Sequence, residues 1–251
     1  MRSGLVSVSF RKLSVLEIVR LASEAGLECV EWGGDIHVPH GNLIAAREAA
    51  KLTADHGLSV SSYGSYLRLG AGGEPGLESV VETAVVLGAP TIRVWAGKKS
   101  SAEATAEDRA TVVEAAFAAA ELASASGLSI SYEFHANTLT DTAESAAELL
   151  ADTLHDAIHS FWQPPNGANV DKALVSLEVA LPRLSNVHAF HWWPDPATRL
   201  PLADGHARWS KYLNRIRLAG LQPDVLLEFL PRDDPSLLSA EAATLLGLLS
   251  P

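Results

Sequence analysis

The segment Leu128–Asn137, LSISYEFHAN, carries the most pointed chemistry in the chain. Its β-branched and aromatic residues alternate with small ones, which predicts a strand. In that alternation Ser129, Ser131, Glu133 and His135 share one face, and Ile130, Tyr132 and Phe134 share the other. A carboxylate and an imidazole therefore stand side by side at the C-terminal end of the strand. An ionised Glu in a buried strand is costly unless something pairs with it. A divalent cation would serve, and so would a neighbouring Arg.

Polar residues recur at the ends of other apolar segments: Glu31 before Gly-Gly-Asp35-Ile-His37, Tyr63, Arg93 with Trp95, Gln163 then Asn166, His191, and Glu228. Four of these, Glu133, Gln163, His191 and Glu228, offer two carboxylates, an amide oxygen and an imidazole. That set suits Mn²⁺, Mg²⁺, Co²⁺ or Zn²⁺ with room left for water or substrate. It contains no thiolate, which weighs against a structural zinc site. Glu31 either joins the site or pairs with Arg93 in the interior. His188 has the opposite parity from His191 and is expected to pack beneath a helix.

A repeat supplies the scaffold. EAGLECVEW, DHGLSVSSY, VLGAPTIRVW, ASGLSISYEF and LAGLQPDVLLEF share one grammar: a helix ends, a Gly caps it, and a strand begins. Gly26, Gly57 and Gly88 lie 31 residues apart, and the interval from Gly127 to Gly220 has room for three more such units. Eight β-then-α units predict a closed (β/α)₈ TIM barrel, an α/β fold with a parallel sheet. The expected strands are Leu5–Phe10, Glu28–Trp32, Ser59–Tyr63, Thr91–Trp95, the opening segment, Ala157–Gln163, Val187–Trp193 and Val225–Leu230. Helices are expected over Ser14–Ala25, Leu43–Asp55, Leu77–Leu87 and Ala106–Ser124, with others beginning at Asp141 and Pro235. The glycine-rich stretch YLRLGAGGEPG reads as a loop or lid, because it lacks the strand–GxGxxG–helix setting of a phosphate site. In a barrel the active site forms where strands run out into the βα loops, which is where the polar ring falls. No linker divides residues 1–251, so one domain is expected.

The 251 residues are 47% hydrophobic and carry a formal net charge of −11. That composition excludes wholesale disorder, and the acidic balance argues against nucleic-acid binding. The single cysteine, Cys29, rules out an internal disulfide framework and fits a reducing compartment. No apolar run reaches the ~18 residues of a membrane span, and the opening MRSGLVSVSFRKLS lacks a signal-peptide core. A cytoplasmic protein without membrane contact is expected.

Through VEWGGDIHVP, TIRVWAG, YEFHANT and LLEFLPRDDP the chain resembles the xylose isomerase-like barrels. These include the sugar phosphate isomerases/epimerases and the tagatose- and psicose-type epimerases. The resemblance covers essentially the whole chain. It implies a Glu, Asp, His and Glu around a divalent metal on strands five to eight, mapping onto Glu133, Gln163, His191 and Glu228. This sequence departs at strand six, where Gln163 and Asn166 stand in place of the usual Asp and of a His three residues later. The implied activity is a metal-dependent sugar isomerase or epimerase acting through an enediolate, with Glu133 and Glu228 as the acid/base pair. His37, Trp95, His135, Asn166 and Arg199 would bind the sugar or sugar derivative, and Trp162 and Trp193 could add apolar faces. Alternatives are an inosose dehydratase-like lyase and a non-catalytic sugar-binding barrel. Barrels of this type often pair, so a homodimer is a further expectation.

Overall fold

The computed structural model describes residues 1–73 and 75–250; Glu74, in the glycine-rich loop, lies outside the described residues. Eight parallel strands close into a barrel. In chain order they are β1 Arg2–Val6, β2 Cys29–Gly33, β3 Ser59–Arg68, β4 Thr91–Trp95, β5 Ser129–Glu133, β6 Ile158–Trp162 and β7 Leu184–Ala189. A two-stranded antiparallel ribbon follows, β8 His191–Trp192 with β9 Arg199–Leu200, and then β10 Asp224–Leu227 completes the barrel against β1 and β7. The helices are α1 Val15–Glu24, α2 Leu43–Asp55, α3 Leu77–Leu87, α4 Ala106–Ala125, α5 Ala143–Asp152, α6 Val170–Ala180, α7 His206–Leu218 and α8 Leu238–Leu249.

Local chemistry sets the helix ends. Ser14 and Glu17 form a reciprocal capping box on α1, and Thr105 with Asp108 does the same on α4. At the other ends Gly26, Gly57, Gly88, Gly127 and Gly220 all hold φ between 73° and 75°, the left-handed conformation that lets a helix turn directly into the next strand. No helix among the described residues is long and apolar enough to cross a membrane.

The core between sheet and helices is continuous and runs from Ile18 and Trp32 to Trp209 and Leu245. The lumen is layered. A small apolar plug, Val6, Val8, Cys29, Phe161 and Leu226, fills its middle. Gly4 is needed there, because a Cβ on it would lie 2.4 Å from Leu226 Cδ2. Below the plug the lumen is hydroxyl-rich: Ser61 donates to Asp224 (2.8 Å), Asn186 to Ser61 (2.8 Å), and Ser131 meets Thr91 (2.8 Å). Above it lie the charged groups Glu31, Arg93, Glu133, His188 and Glu228, with Ser62 and Gln163 among them.

Four strands depart by several residues from the expected positions; the third runs on past Tyr63 to Arg68, and the eighth barrel strand, β10, ends at Leu227 rather than Leu230. The first ends at Val6, after which Ser7–Phe10 coils into a 3₁₀ turn whose Ser7 hydroxyl accepts from the Gly33 amide (2.9 Å). The seventh ends at Ala189, four residues earlier than expected. There the Phe190 carbonyl accepts from the Trp209 indole (2.9 Å), and His191 leaves the barrel in the ribbon. A register shift between Val30 and Glu31 also sets Ser62 opposite Glu31 and turns Tyr63 outward into the core, its hydroxyl donating to the Val38 carbonyl (2.8 Å).

Candidate metal centre and active site

Each barrel strand delivers its last inward side chain to the C-terminal mouth. From β5 comes Glu133; Gln163 follows β6; β7 gives His188; Glu228 follows β10. One ligand atom each from Glu133, His188 and Glu228 lies within 4.8 Å of the others, and all three residues are buried. His188 Nδ1 faces Gln163 Oε1 at 3.3 Å, Glu228 Oε2 at 3.4 Å and Glu133 Oε1 at 3.5 Å. The Gln163 amide donates its NH₂ to the Phe134 carbonyl (2.9 Å), which turns its oxygen toward the histidine.

His191 is not part of this cluster. Its ring packs flat on Gly205, where an added Cβ would come within 2.7 Å of it, and Arg208 and Trp209 line the same recess. The reason is the early end of β7. The alternation in β7 puts Asn186 and His188 on the inner face with Val187 and Ala189 outside, so His188 takes the place in the cluster expected of His191. His188 is therefore in the lumen and not beneath a helix. Its Phe161 neighbour, with ring centroids 4.4 Å apart, roofs the plug. The signal was present in the sequence: polar Asn186 and His188 alternate with apolar Val187 and Ala189.

A second group of charges surrounds the first. Arg93, fully interior, donates to Glu31 through Nε (2.9 Å) and to Glu133 Oε2 through Nη1. The Trp95 indole donates to that same Glu133 oxygen. Ser62 donates to the other oxygen of Glu31 (2.7 Å). Glu31 thus pairs with Arg93 and also faces His188 Nε2 at 3.6 Å. That nitrogen has no hydrogen-bond partner among the described residues. A proton there would lie toward Glu31 and leave Nδ1 as a lone pair aimed at the oxygens of the cluster. Such a carboxylate behind a ligating histidine fixes its tautomer and raises its basicity.

The pKa shifts follow from this crowding. Burial works against the Glu31 charge, but Arg93 and His188 outweigh it and hold its carboxyl down at about 2. Burial likewise opposes the Glu133 charge, and Arg93 and His188 hold it well below the usual carboxylate range. Glu228 faces His188 but makes no ion pair with an arginine among the described residues. Burial, compounded by the Glu133 and Glu31 charges, pushes it up to about 7 against the pull of His188. For His188 burial is overcome by Glu228 and Glu31, which raise it to about 10.

The donors fit a divalent cation. With Arg93 balancing Glu31, the carboxylates of Glu133 and Glu228 match a 2+ charge, and the neutral oxygen of Gln163 and the imidazole of His188 complete an oxygen–nitrogen set. No strongly charged ligand is then left unbalanced in the dry interior.

The remaining expected site residues lie around the mouth. His135 packs on Trp95, with centroids 5.0 Å apart, and its Nδ1 is held by the Ala136 carbonyl (2.6 Å). With Asn166 and Gln163 it lines a cleft of about 240 Å³. His37 is held away from that cleft by Ser7 Oγ (3.1 Å) and the Leu13 carbonyl (3.2 Å), and burial lowers its pKa. Arg199 lies over Phe229 and Trp192 and is paired with Asp233 (2.7 Å). Trp162 points into the helix layer, donating to Ser176 (2.9 Å), and offers no face to a ligand. Trp193 lies under Arg208. Not expected from sequence were Tyr66 and Phe229, two aromatics in left-handed backbone conformations (φ 58° and 47°) that pack on the lumen plug. Such strained positions concentrate at functional sites.

Known proteins share this architecture. Over 164 residues the chain is 30% identical to a 3-dehydroshikimate dehydratase from Bacillus anthracis; the match spans 62% of this chain and 59% of that relative. The crystal structure of a probable 3-DHS dehydratase from the same organism superposes with a TM-score of 0.81 at 22% identity, covering 98% of this chain and 99% of the other. A 3-keto-D-glucoside 4-epimerase from E. coli superposes with a TM-score of 0.76 at 19% identity, covering 99% and 98%. A sequence profile of xylose isomerase-like TIM barrels matches residues 19–246, and the chain belongs to that family.

Proposed function

We propose that the chain is a divalent-cation-dependent lyase that removes water from a hydroxylated ring ketone, with 3-dehydroshikimate as the first substrate to try. The observation that carries this reading is the state of Glu133. Its Oε2 accepts from both the Arg93 guanidinium and the Trp95 indole, and its Oε1 faces His188. A carboxylate so placed is a strong anionic ligand and a poor proton acceptor. An epimerase that uses a glutamate on each face of its substrate needs both to exchange protons. Here only Glu228 is free of an arginine. The likeness to a named dehydratase supports the same choice.

Glu133, Gln163, His188 and Glu228 would hold the cation, which when bound would polarise the ketone oxygen and acidify the adjacent C–H. His135 is the base. Its Nδ1 is committed to the Ala136 carbonyl, so Nε2 carries the lone pair, and its ring stands at the cleft beside Trp95. Nε2 takes the proton from the carbon next to the ketone, a C=C bond forms, and the β-hydroxyl leaves. The same nitrogen returns the proton to the departing oxygen, so that water is released with no redox change. Trp95 and Tyr66, set edge to face at 5.2 Å, provide apolar wall on which a flat ring can lie.

The test is to incubate the metal-loaded protein with 3-dehydroshikimate in D₂O. A product lighter by one water is expected, and His135→Asn should slow its formation by about 10²–10⁴-fold. A substrate that keeps all its oxygens while exchanging carbon-bound hydrogen for deuterium would return the site to an epimerase. Tight sugar binding without any exchange or elimination would make it a binding protein.

A further inference from the structure

Near the mouth Arg11 is matched by Asp35, Arg93 by Glu31 and Glu133, and Arg199 by Asp233. Arg68, the last residue of β3, and Arg208, which lies over Trp193 beside His191, have no such partner among the described residues, and of the two Arg68 is the one that stacks on Trp95. Among the described residues no carboxylate lies within ion-pair distance of it; its one hydrogen bond runs from Nη1 to the Gly97 carbonyl at 3.3 Å. Its guanidinium lies 4.0 Å above the centre of the Trp95 ring. It is only partly exposed, and burial lowers its pKa.

Among the described residues most N–H donors of this stacked, half-buried guanidinium have no partner, in a chain of net charge −11. Stacking spares the planar fork its conformational freedom and leaves its edge open, the arrangement best suited to a planar carboxylate. Its position is as telling. The Trp95 indole that carries Arg68 also donates to Glu133 and packs against His135. Arg68 is therefore one indole ring away from the cation-binding cluster and from the base. A ligand whose ketone met the cluster and whose ring lay along Trp95 would bring a ring substituent to Arg68.

We infer that Arg68 is the specificity residue of this site, accepting a carboxylate carried on the substrate ring. This rests on the reading of the substrate as a ring ketone and adds the charged group that separates a ring acid from a neutral sugar. Epimerase substrates without a carboxylate would leave Arg68 unpaired.

The experiment separates binding from turnover. Loss of water from 3-dehydroshikimate aromatises the ring, so 3,4-dihydroxybenzoate is a stable probe of the same shape and catechol is its counterpart without the carboxylate. Both are titrated by calorimetry against Mn²⁺-loaded wild type, Arg68→Gln and Arg68→Lys. Wild type should prefer the acid by about 10–100-fold, Arg68→Gln should lose that preference while keeping its affinity for catechol, and Arg68→Lys should keep part of it. In turnover Arg68→Gln should raise KM and leave kcat within a few-fold. An undiminished preference in Arg68→Gln, or none in wild type, overturns the inference. A wild type that prefers the acid through Arg68 but eliminates no water overturns the lyase reading and leaves the subsite standing.

Discussion

Removing the guanidinium at position 93 should change both the stability of the barrel and the way that stability depends on pH. Arg93 is interior and pairs with two interior carboxylates, Glu31 and Glu133. Breaking a buried pair by deleting one partner costs roughly 3–5 kcal/mol, because the surviving charges stay buried. The shift at Glu31 gives a similar figure: a carboxyl held at about 2 against an ordinary 4.5 is worth roughly 3 kcal/mol near neutrality. The sign follows from the direction. In wild type Glu31 and Glu133 are depressed, so their contribution is complete above the ordinary carboxylate range and is lost on acidification through their folded values. In Arg93→Met burial acts without the cation and raises both, so their contribution is present at low pH and is lost as pH rises. Glu228, raised to about 7, loses its contribution as pH rises through that value, and His188, raised to about 10, holds its contribution in full only below its ordinary 6.5 and loses it gradually above. Both trends act in wild type and variant, and loss of Arg93 raises Glu228 further, which adds to the widening. Urea unfolding of metal-free protein, followed by tryptophan fluorescence at pH 4.5 and 7.5, should show a small gap between variant and wild type at the lower pH. At the higher pH it should be roughly 3–5 kcal/mol, a large part of the ~5–15 kcal/mol typical of a domain. Arg93→Lys retains the charge without the fork and should fall between them, giving a readable curve even where Arg93→Met does not fold. A gap below about 1 kcal/mol at pH 7.5, or one that does not widen with pH, would refute the reasoning.

Three further outcomes are expected. His188→Ala should weaken Mn²⁺ binding at least about tenfold by calorimetry, and His191→Ala should leave it within a few-fold; the reverse order would restore the strand register read from sequence. Mn²⁺ must displace the protons that His188 and Glu228 hold, so affinity should climb close to tenfold per pH unit from pH 7 to 9, with proton release measurable in buffers of different ionisation enthalpy; a flat profile would show that neither group is protonated in the free protein. Gly64→Ala should cost about 1–3 kcal/mol and lower Tm, since its Cβ would lie 2.6 Å from Arg93 Nη2 and 2.8 Å from Glu31 Oε1; an unchanged Tm would mean the ion pair can give way.

The barrel was legible because its signals are local. A glycine after each helix and an apolar run after each glycine mark the repeat without any long-range information, and α2, α3 and β4 fall where the pattern puts them. Side-chain alternation then identified Glu133, Gln163 and Glu228, which sit on straight strands or one residue past them. It failed wherever a strand stopped or slipped. An end point misjudged by a few residues exchanged His188 for His191, because adjacent parities face opposite ways. The slip at Glu31 did the same to Tyr63. Arg68, Tyr66 and Phe229 depend on backbone bends whose geometry no alternation encodes, and the pairing of Arg199 with Asp233 joins two loops 34 residues apart.

The charged layer also divides along the chain. Glu31, Ser62 and Arg93 stand on β2 to β4, where acid and base cancel; Glu133, Gln163, His188 and Glu228 all come from β5 onward and contain every candidate donor to the cation. The helix α4 is the seam between a half-barrel whose interior Glu31 and Arg93 pair with each other and one that carries the donors of the candidate cation site. On the proposed reading the first half supplies the wall and the arm that would meet the ligand, Tyr66, Arg68 and Trp95, and the second supplies the reactive centre. Recombination at α4 with a related barrel would keep the cation donors together while replacing Arg93 and Trp95, the two groups that hold Glu133 Oε2 from across the seam.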